Sequence, residues 1–289
     1  MLEWVQGLGG QPFFLYVQSL DVHNPYDPPP DFRGRIGRPA SPPEPPRIDE
    51  AVVGHAAAAG LRQLIAELKP ELYDDCIAYA DHEIGNLLAA LERLGLRERT
   101  AVVITADHGE SLGEGGRFLH GHSLLEELVR VPLIVVLPWD EEPRRIAAPV
   151  SLLDVAPTLL DLAGLPVPPG LRGRSLFRER TEPEEAAIVG VRLEAASGGQ
   201  RVTDWFLRDG AWKLRVDRDS HARLFDLLSD GTEARDVAEQ RPVEVGYLTA
   251  RLRELGAPLE GRTAASAPQL EPAERQERER ALRALGYFE

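Results

Sequence analysis

Cysteine is almost absent from this sequence. Cys76 is the single cysteine among 289 residues. One thiol cannot form an intrachain disulfide, and it cannot build a metal site from several cysteine ligands. A disulfide framework and a zinc–cysteine cluster are therefore excluded as the basis of the fold.

Excess positive charge and long apolar runs are missing as well. The chain carries 47 acidic against 33 basic residues, a net charge of -14, and Lys69 and Lys213 are its two lysines. Proteins that bind nucleic acids need a basic face, so we expect no nucleic-acid partner. No stretch approaches the roughly 20 apolar residues of a membrane-spanning helix, so we expect no membrane span. The N-terminal residues also lack the charged and apolar regions of a signal peptide.

The composition and the order of predicted elements indicate a folded α/β protein. A hydrophobic content of 43% is sufficient for a sizeable core. Strands and helices alternate up to residue 176, which predicts part of a wound mixed or parallel sheet flanked by helices. The predicted strands are residues 13–17, 100–105 and 131–137, and the predicted helices are 50–68, 70–94 and 154–164.

The pattern changes after residue 176. Short β-rich runs, a hairpin signal at Arg208–Ala211 and an amphipathic stretch over 243–255 predict a small antiparallel sheet with a helix. The predicted strands here are residues 187–193, 204–208 and 212–216. We therefore predict three parts, which are residues 1–176, 177–260 and a loosely packed tail over 261–289.

Polar side chains follow the strongest predicted strand. Asp107 and His108 come directly after residues 100–105, and a glycine then allows a sharp turn. A carboxylate and an imidazole at the end of a strand can reach one metal ion. His120 and His122 lie in the same glycine-rich segment, so we predict a metal or oxyanion site there. The alternative is that Asp107 and His108 only form a turn.

His23 is a second candidate. It follows the predicted strand over 13–17 and lies in a loop that holds four prolines between residues 25 and 30. Proline fixes the local backbone, so such a loop can hold an imidazole in one place. A surface histidine without a role is the alternative. We expect the histidines without such a context to be structural or solvent-facing, namely His55, His82 and His221.

Several segments match, in order, the conserved segments of one enzyme family. Thr105–Glu114 is similar to its metal-binding signature, and Asp21–Pro29 to the segment that supplies a catalytic histidine. The other matching segments are Tyr73–Leu88, Leu124–Ile134, Ser151–Gly164, Gly173–Leu176, Trp212–Leu214 and Leu224–Leu227. Together these segments resemble the sulfatase branch of the alkaline-phosphatase-like superfamily, from about residue 12 to 255.

The resemblance implies a metal-dependent sulfuric ester hydrolase. In this family a formylglycine, made from cysteine or serine, attacks the sulfur while a divalent ion neutralises the sulfate oxygens. By position, Asp107 and His108 correspond to metal ligands, and His23 to the histidine that contacts the sulfate near the leaving oxygen. His120 stands where many relatives carry a sulfate-binding lysine. We therefore expect His120 to be catalytic and, together with His122, to bind substrate.

The expected cofactor is one divalent cation. Calcium is the family's ion, but His108 stands where many members have asparagine, and a nitrogen ligand suits manganese or zinc better. The expected substrate is a small-molecule or carbohydrate sulfate ester. Related enzymes with this Asp-His pair include phosphate- and phosphonate-ester hydrolases, so that ester class is the alternative.

The family's nucleophile motif, Cys/Ser-x-Pro-x-Arg, is not found in these 289 residues. Cys76 lacks the following proline, and its helical setting predicts a core thiol. Ser41 has the proline, but Pro45 stands in place of the arginine. We therefore expect the C-terminal part of a sulfatase, with residues 1–176 as the distal part of its catalytic domain and a missing N-terminal nucleophile region. A non-catalytic metal-binding remnant is the other alternative.

The purified chain should therefore not hydrolyse sulfate esters by itself. We expect no turnover of an aryl sulfate, because the attacking group is absent while the predicted metal ligands remain. Release of the phenolate is followed by absorbance, with a complete sulfatase as the positive control. Turnover that disappears in His120→Ala would contradict this expectation.

Overall fold

The computed structural model describes residues 2–36, 70–139, 142–178, 187–196 and 199–257. The α-helices are α1 (Leu2–Gly7), α2 (Tyr73–Arg93), α3 (Glu126–Val129), α4 (Val155–Leu162) and α5 (Pro242–Glu254). The strands are β1 (Val102–Thr105), β2 (Ser111–Leu112), β3 (Phe118–Leu119), β4 (Leu133–Val136), β5 (Ile188–Ala196), β6 (Gly199–Asp209), β7 (Trp212–Asp217) and β8 (Ala222–Asp226). Short 3-10 helices lie at Pro30–Phe32, Pro70–Leu72, Arg97–Arg99, Glu114–Gly116, Leu152–Asp154 and Ala238–Gln240. The predicted helix over 50–68, Ser41, His55 and the tail over 261–289 lie outside the described residues.

Helix α2 forms where apolar residues recur at three- and four-residue spacing, and it confirms the predicted helix over 70–94. It stops at Gly95, which has a φ of 66°, and the N–H of Leu96 reaches back to the Leu91 carbonyl at 2.9 Å. Cys76 is fully buried on this helix, which confirms a core thiol. Within the described ranges, no helix is long and apolar enough to cross a membrane.

The buried carboxylate of Asp75 ties the chain that follows His23 to helix α2. It accepts hydrogen bonds from the main-chain N–H of Gly34 at 2.6 Å and of Ile36 at 2.9 Å. The bond from Ile36, with that from Gly34, outweighs burial and lowers the pKa of Asp75. A carboxylate that is 1% exposed needs such donors, because an unsatisfied buried charge is costly. The proline-rich loop is thereby held against α2.

Strands β1 and β4 form a two-stranded antiparallel sheet. Val102 faces Val136 and Thr105 faces Leu133. The prediction was a mixed or parallel sheet, and this pair of strands is antiparallel. A β-branched run indicates strand propensity and burial, but strand direction depends on the path of the connecting chain. The segment between the two strands returns β4 to the carboxyl end of β1, where the candidate site lies.

Residues 13–17 are not a strand, contrary to the prediction. They make no backbone hydrogen bond to any other described residue, and Phe14 and Tyr16 are 71% and 72% exposed. A strand needs a neighbouring strand to satisfy its N–H and C=O groups. Aromatic composition favours a strand but cannot supply the neighbouring strand that it needs.

The C-terminal part forms the predicted small antiparallel sheet with a helix. Its strands pair in the order β5-β6-β7-β8, all antiparallel. The predicted hairpin is confirmed, with Gly210 at a φ of 57° in the turn between β6 and β7. Helix α5 buries Leu248 and Leu252 against the apolar face of the sheet. The division of the chain at residue 176 stays a prediction.

Candidate active site

The loop over residues 106–110, here called the metal loop, approaches helix α3 very closely. The N–H of Gly109 donates to the carbonyl of Leu128 at 2.7 Å. A Cβ at Gly109 would overlap the carbonyl oxygen of Glu127. Position 109 therefore requires glycine. The close approach fixes the main chain from which the side chains of Asp107 and His108 extend.

Asp107 and His108 present two ligand atoms within reach of one ion. Asp107 Oδ1 and His108 Nε2 lie 3.8 Å apart, a separation that metal–ligand bonds of about 2.0–2.2 Å can span. His108 Nδ1 donates to the Gly109 carbonyl at 2.8 Å. A carbonyl can only accept, so Nε2 is the unprotonated nitrogen of the neutral ring, as a metal ligand must be.

Three predicted site histidines meet in what we call the imidazole cluster, which consists of His23, His108 and His120. The rings of His108 and His120 have centroids 4.1 Å apart at an angle of 31°. The rings of His23 and His120 have centroids 5.4 Å apart at 64°. The structure therefore brings the proline-rich loop and the glycine-rich segment together at one place.

Glu110 and Tyr26 are members of this site that the sequence did not single out. The Glu110 side chain is 4% exposed, and it accepts a hydrogen bond from His120 Nδ1 at 3.1 Å. Burial, followed by the negative charge of Glu110, raises the pKa of the buried Tyr26. Glu110 lies within the segment that resembles the metal signature, so its presence near the site could have been inferred. Its pairing with His120 could not.

His122 lies outside the imidazole cluster, since its ring contacts none of those three rings in the described structure. Partial burial lowers the pKa of His122, although the residue as a whole is exposed to solvent. The charges that act on it come from Glu127, Arg117 and Arg192. Its predicted part in substrate binding stays a prediction.

Another group of possible metal ligands lies on the turn between β7 and β8. Side-chain atoms of Asp217, Asp219 and His221 lie within 4.8 Å of one another. Asp217 Oδ1 accepts the main-chain N–H groups of Asp219 and His221, both at 2.9 Å. Asp217 is thus the acceptor that closes this turn. The His221 side chain is 74% exposed, which confirms the expectation that it faces solvent.

Comparison with known proteins identifies the family of the chain that carries this site. The family model for sulfatases matches residues 1–165, which include the metal loop and the imidazole cluster. The chain belongs to the sulfatase family. Among curated relatives of this sulfatase chain, arylsulfatase K from Xenopus laevis is 32% identical over 204 residues. The aligned residues cover 67% of this chain but 38% of that protein, so the chain spans well under two thirds of the relative.

Solved structures share the fold of this sulfatase chain. A putative sulfatase from Bacteroides fragilis has a TM-score of 0.66 at 22% identity, covering 89% of this chain and 58% of its own. The phosphonate monoester hydrolase of Agrobacterium radiobacter has a TM-score of 0.66 at 23% identity, with 89% and 60% covered. A protein solved with its substrate D-glucosamine-2-N,6-O-disulfate has a TM-score of 0.54 at 22% identity, with 74% and 48% covered. The predicted α/β fold class and the predicted sulfatase family are confirmed.

Gly109→Ala tests the close approach of the metal loop to α3. The added methyl group overlaps the Glu127 carbonyl, so the loop must move and lose its bond to Leu128. We expect the free energy of unfolding to fall by about 1–3 kcal/mol. Gly85→Ala, on an exposed part of α2 with no atom within 4 Å of the new methyl group, should instead raise it by about 0.5–1 kcal/mol. Urea unfolding measures both, and an unchanged Gly109→Ala protein would contradict the close approach.

Proposed function

We propose that this chain forms the metal-binding and leaving-group side of a sulfate-ester hydrolase active site. The observation that carries the proposal is the convergence of Asp107 and His108 with the imidazole cluster at the end of β1. Membership of the sulfatase family and the arylsulfatase K relatives support a sulfate ester as substrate. The sugar disulfate bound by one structural neighbour supports a small-molecule or carbohydrate sulfate ester.

Asp107 and His108 would hold a divalent metal ion. The separation of their ligand atoms and the His108 Nδ1 bond to a carbonyl both fit this role. When bound, such an ion neutralises charge on the sulfate oxygens and orients the reacting groups. A nitrogen ligand favours manganese or zinc over calcium, the usual ion of the family.

His120 would bind a sulfate oxygen. Its Nδ1 donates to Glu110 at 3.1 Å, and we assign contact with the substrate to Nε2. The buried Glu110 fixes the orientation of the ring as a carboxylate commonly does for a catalytic histidine. Glu110 is therefore proposed as the positioning residue of His120.

His23 would protonate the leaving oxygen. Its Nδ1 donates to the Asn24 carbonyl at 2.8 Å, and we assign proton transfer to the substrate to Nε2. Its ring lies 5.4 Å from that of His120, so the two residues can reach neighbouring groups of one ester. The sulfate oxygen and the ester oxygen are thus assigned to separate histidines.

The attacking group is proposed to come from polypeptide outside these 289 residues. Neither cysteine nor serine occurs here in the Cys/Ser-x-Pro-x-Arg motif, and the chain covers 38% of the Xenopus laevis relative. A site that has metal ligands and proton donors but no nucleophile can bind an ester, but it cannot form a covalent intermediate with it. Catalysis then needs an N-terminal nucleophile region, encoded upstream or on a separate chain.

A phosphate or phosphonate ester is the second candidate substrate. It is supported by the Asp107-His108 pair in place of aspartate followed by asparagine, and a phosphonate monoester hydrolase shares the fold at a TM-score of 0.66, as a putative sulfatase does. A non-catalytic metal-binding protein is a third candidate. An in-frame Cys/Ser-x-Pro-x-Arg segment in the upstream DNA would exclude that third candidate.

Reconstitution with the nucleophile region decides the ester class. We expect the completed protein to hydrolyse an aryl sulfate with a higher kcat/KM than the matched phosphate monoester, phosphate diester and phosphonate monoester. His23→Ala should lower kcat by about 10²–10⁴-fold, the range for a positioned proton donor, while His221→Ala should leave it unchanged. A preference for the phosphonate would establish the second candidate. No turnover of any ester would contradict the proposed function.

Metal binding can be measured on the present chain without turnover. We expect Mn²⁺ to bind at Asp107 and His108, and His108→Ala to weaken binding at least about tenfold. Isothermal titration calorimetry gives the affinity. Asp217→Asn is the control, because it removes a carboxylate of the exposed turn that groups three possible ligands. Binding that is lost in Asp217→Asn and kept in His108→Ala would place the ion on the turn instead.

A further inference from the structure

A set of buried charges joins the C-terminal sheet to helix α3. Lys213 on β7 is 0% exposed and donates to Glu126 Oε1 at 2.7 Å and to Glu233 Oε1 at 2.6 Å. Arg208 contacts the other oxygen of Glu126 at 3.3 Å, and Arg215 contacts the other oxygen of Glu233 at 3.4 Å. We call these side chains the buried charge network.

The network favours one arrangement of α3 on the sheet. The Glu233 side chain is 0% exposed and that of Glu126 is 11% exposed, so water cannot replace a lost partner. A buried charge without its partner is strongly destabilising, whereas the intact set satisfies both carboxylates. Small sliding motions of α3 would break ion pairs and are therefore disfavoured.

The network also reaches the loop that carries His120. Arg215 Nη2 donates to Ser123 Oγ at 3.0 Å, and the N–H of Glu126 donates to Glu233 Oε1 at 2.9 Å. Ser123 lies at the end of the loop over residues 120–123. The C-terminal sheet therefore fixes this loop at one end and α3 at its first turn.

The same short segment, residues 123–128, also binds the metal loop and the residues that follow that loop. The Leu128 carbonyl accepts the N–H of Gly109 at 2.7 Å. Glu127 Oε1 accepts the hydroxyl of Ser111 at 3.0 Å and the Nε–H of Arg117 at 3.1 Å. Residues 123–128 thus link the buried charge network to the imidazole cluster.

We propose that the buried charge network positions the imidazole cluster, with Lys213 and Arg215 holding residues 123–128 so that His120 stays against His108. Neither cation belongs to the cluster, so both act through α3 and Ser123 as positioning residues. The catalytic meaning of this role rests on the proposed function. The contact between the His108 and His120 rings does not rest on the proposed function, and it can be measured in the absence of any substrate.

The contact between His108 and His120 reports on the proposal directly. In the full chain with labelled histidine, a nuclear Overhauser cross-peak should join the two rings, whose centroids are 4.1 Å apart. His108→Gln and His120→Gln assign the signals. Lys213→Met/Glu233→Gln removes both Lys213 ion pairs and keeps the net charge, and we expect it to abolish the cross-peak. Ser123→Ala, which deletes one hydroxyl, should weaken the cross-peak and shift the His120 signal.

Arg251→Met is the matched control. It removes the ion pair between Arg251 on α5 and Asp209, at 3.4 Å, and should keep the cross-peak even at an equal loss of melting temperature. An unchanged cross-peak in Ser123→Ala and in the folded double variant would overturn the proposal. If the double variant does not fold, Ser123→Ala decides alone, because it leaves every ion pair of the network in place. A negative result here is distinct from a failure of sulfate-ester hydrolysis, since no ester is used.

Discussion

The hydrogen bond from Gly109 to Leu128 is the contact on which the candidate site depends. At 2.7 Å it brings the metal loop against α3 at a position with no room for a side chain. Asp107 and His108 leave the main chain just before this contact, and Glu110 leaves it just after, turned towards His120. A loop docked elsewhere would separate both His108 and Glu110 from His120.

Helix α3 is not stable enough by itself to hold the metal loop in this position. It comprises residues Glu126–Val129, and so short a helix forms only with tertiary support. Burial of Leu128 supplies attraction, but apolar contacts have no direction. The ion pairs of Glu126 with Lys213 and Arg208 do have direction, because each fixes one carboxylate oxygen. Desolvation offsets much of their Coulomb energy, so we infer that they specify the arrangement more than they stabilise the chain.

The sequence singled out the residues that meet in the candidate site better than the contacts that organise them. Asp107, His108 and His120 could be found because they are close along the chain and follow a strong strand signal, and His23 because prolines surround it. The partnership of Lys213 with Glu126 spans 87 positions, and no local pattern reports it. Lys213 stood out in composition as one of two lysines, which gave no hint of its burial. The absence of a strand over 13–17 was missed for the same reason, because pairing depends on neighbours remote in sequence. The direction of β4, which the prediction of a mixed or parallel sheet left open, depends on such neighbours too.

The family match includes the residues of the candidate site but not the C-terminal residues that hold α3. It ends at residue 165, yet the cations that hold α3 come from β6 and β7, and Glu233 lies beyond both strands. Without the C-terminal sheet, Glu126 would lose both of its cations and Ser123 its donor, while Gly109 could still bind Leu128. The metal loop would then remain attached to a segment that is itself no longer fixed. Strands β1 and β4 pair through their own backbone and do not need the sheet. The geometry of the imidazole cluster, rather than the α/β fold around it, is therefore what the C-terminal sheet controls.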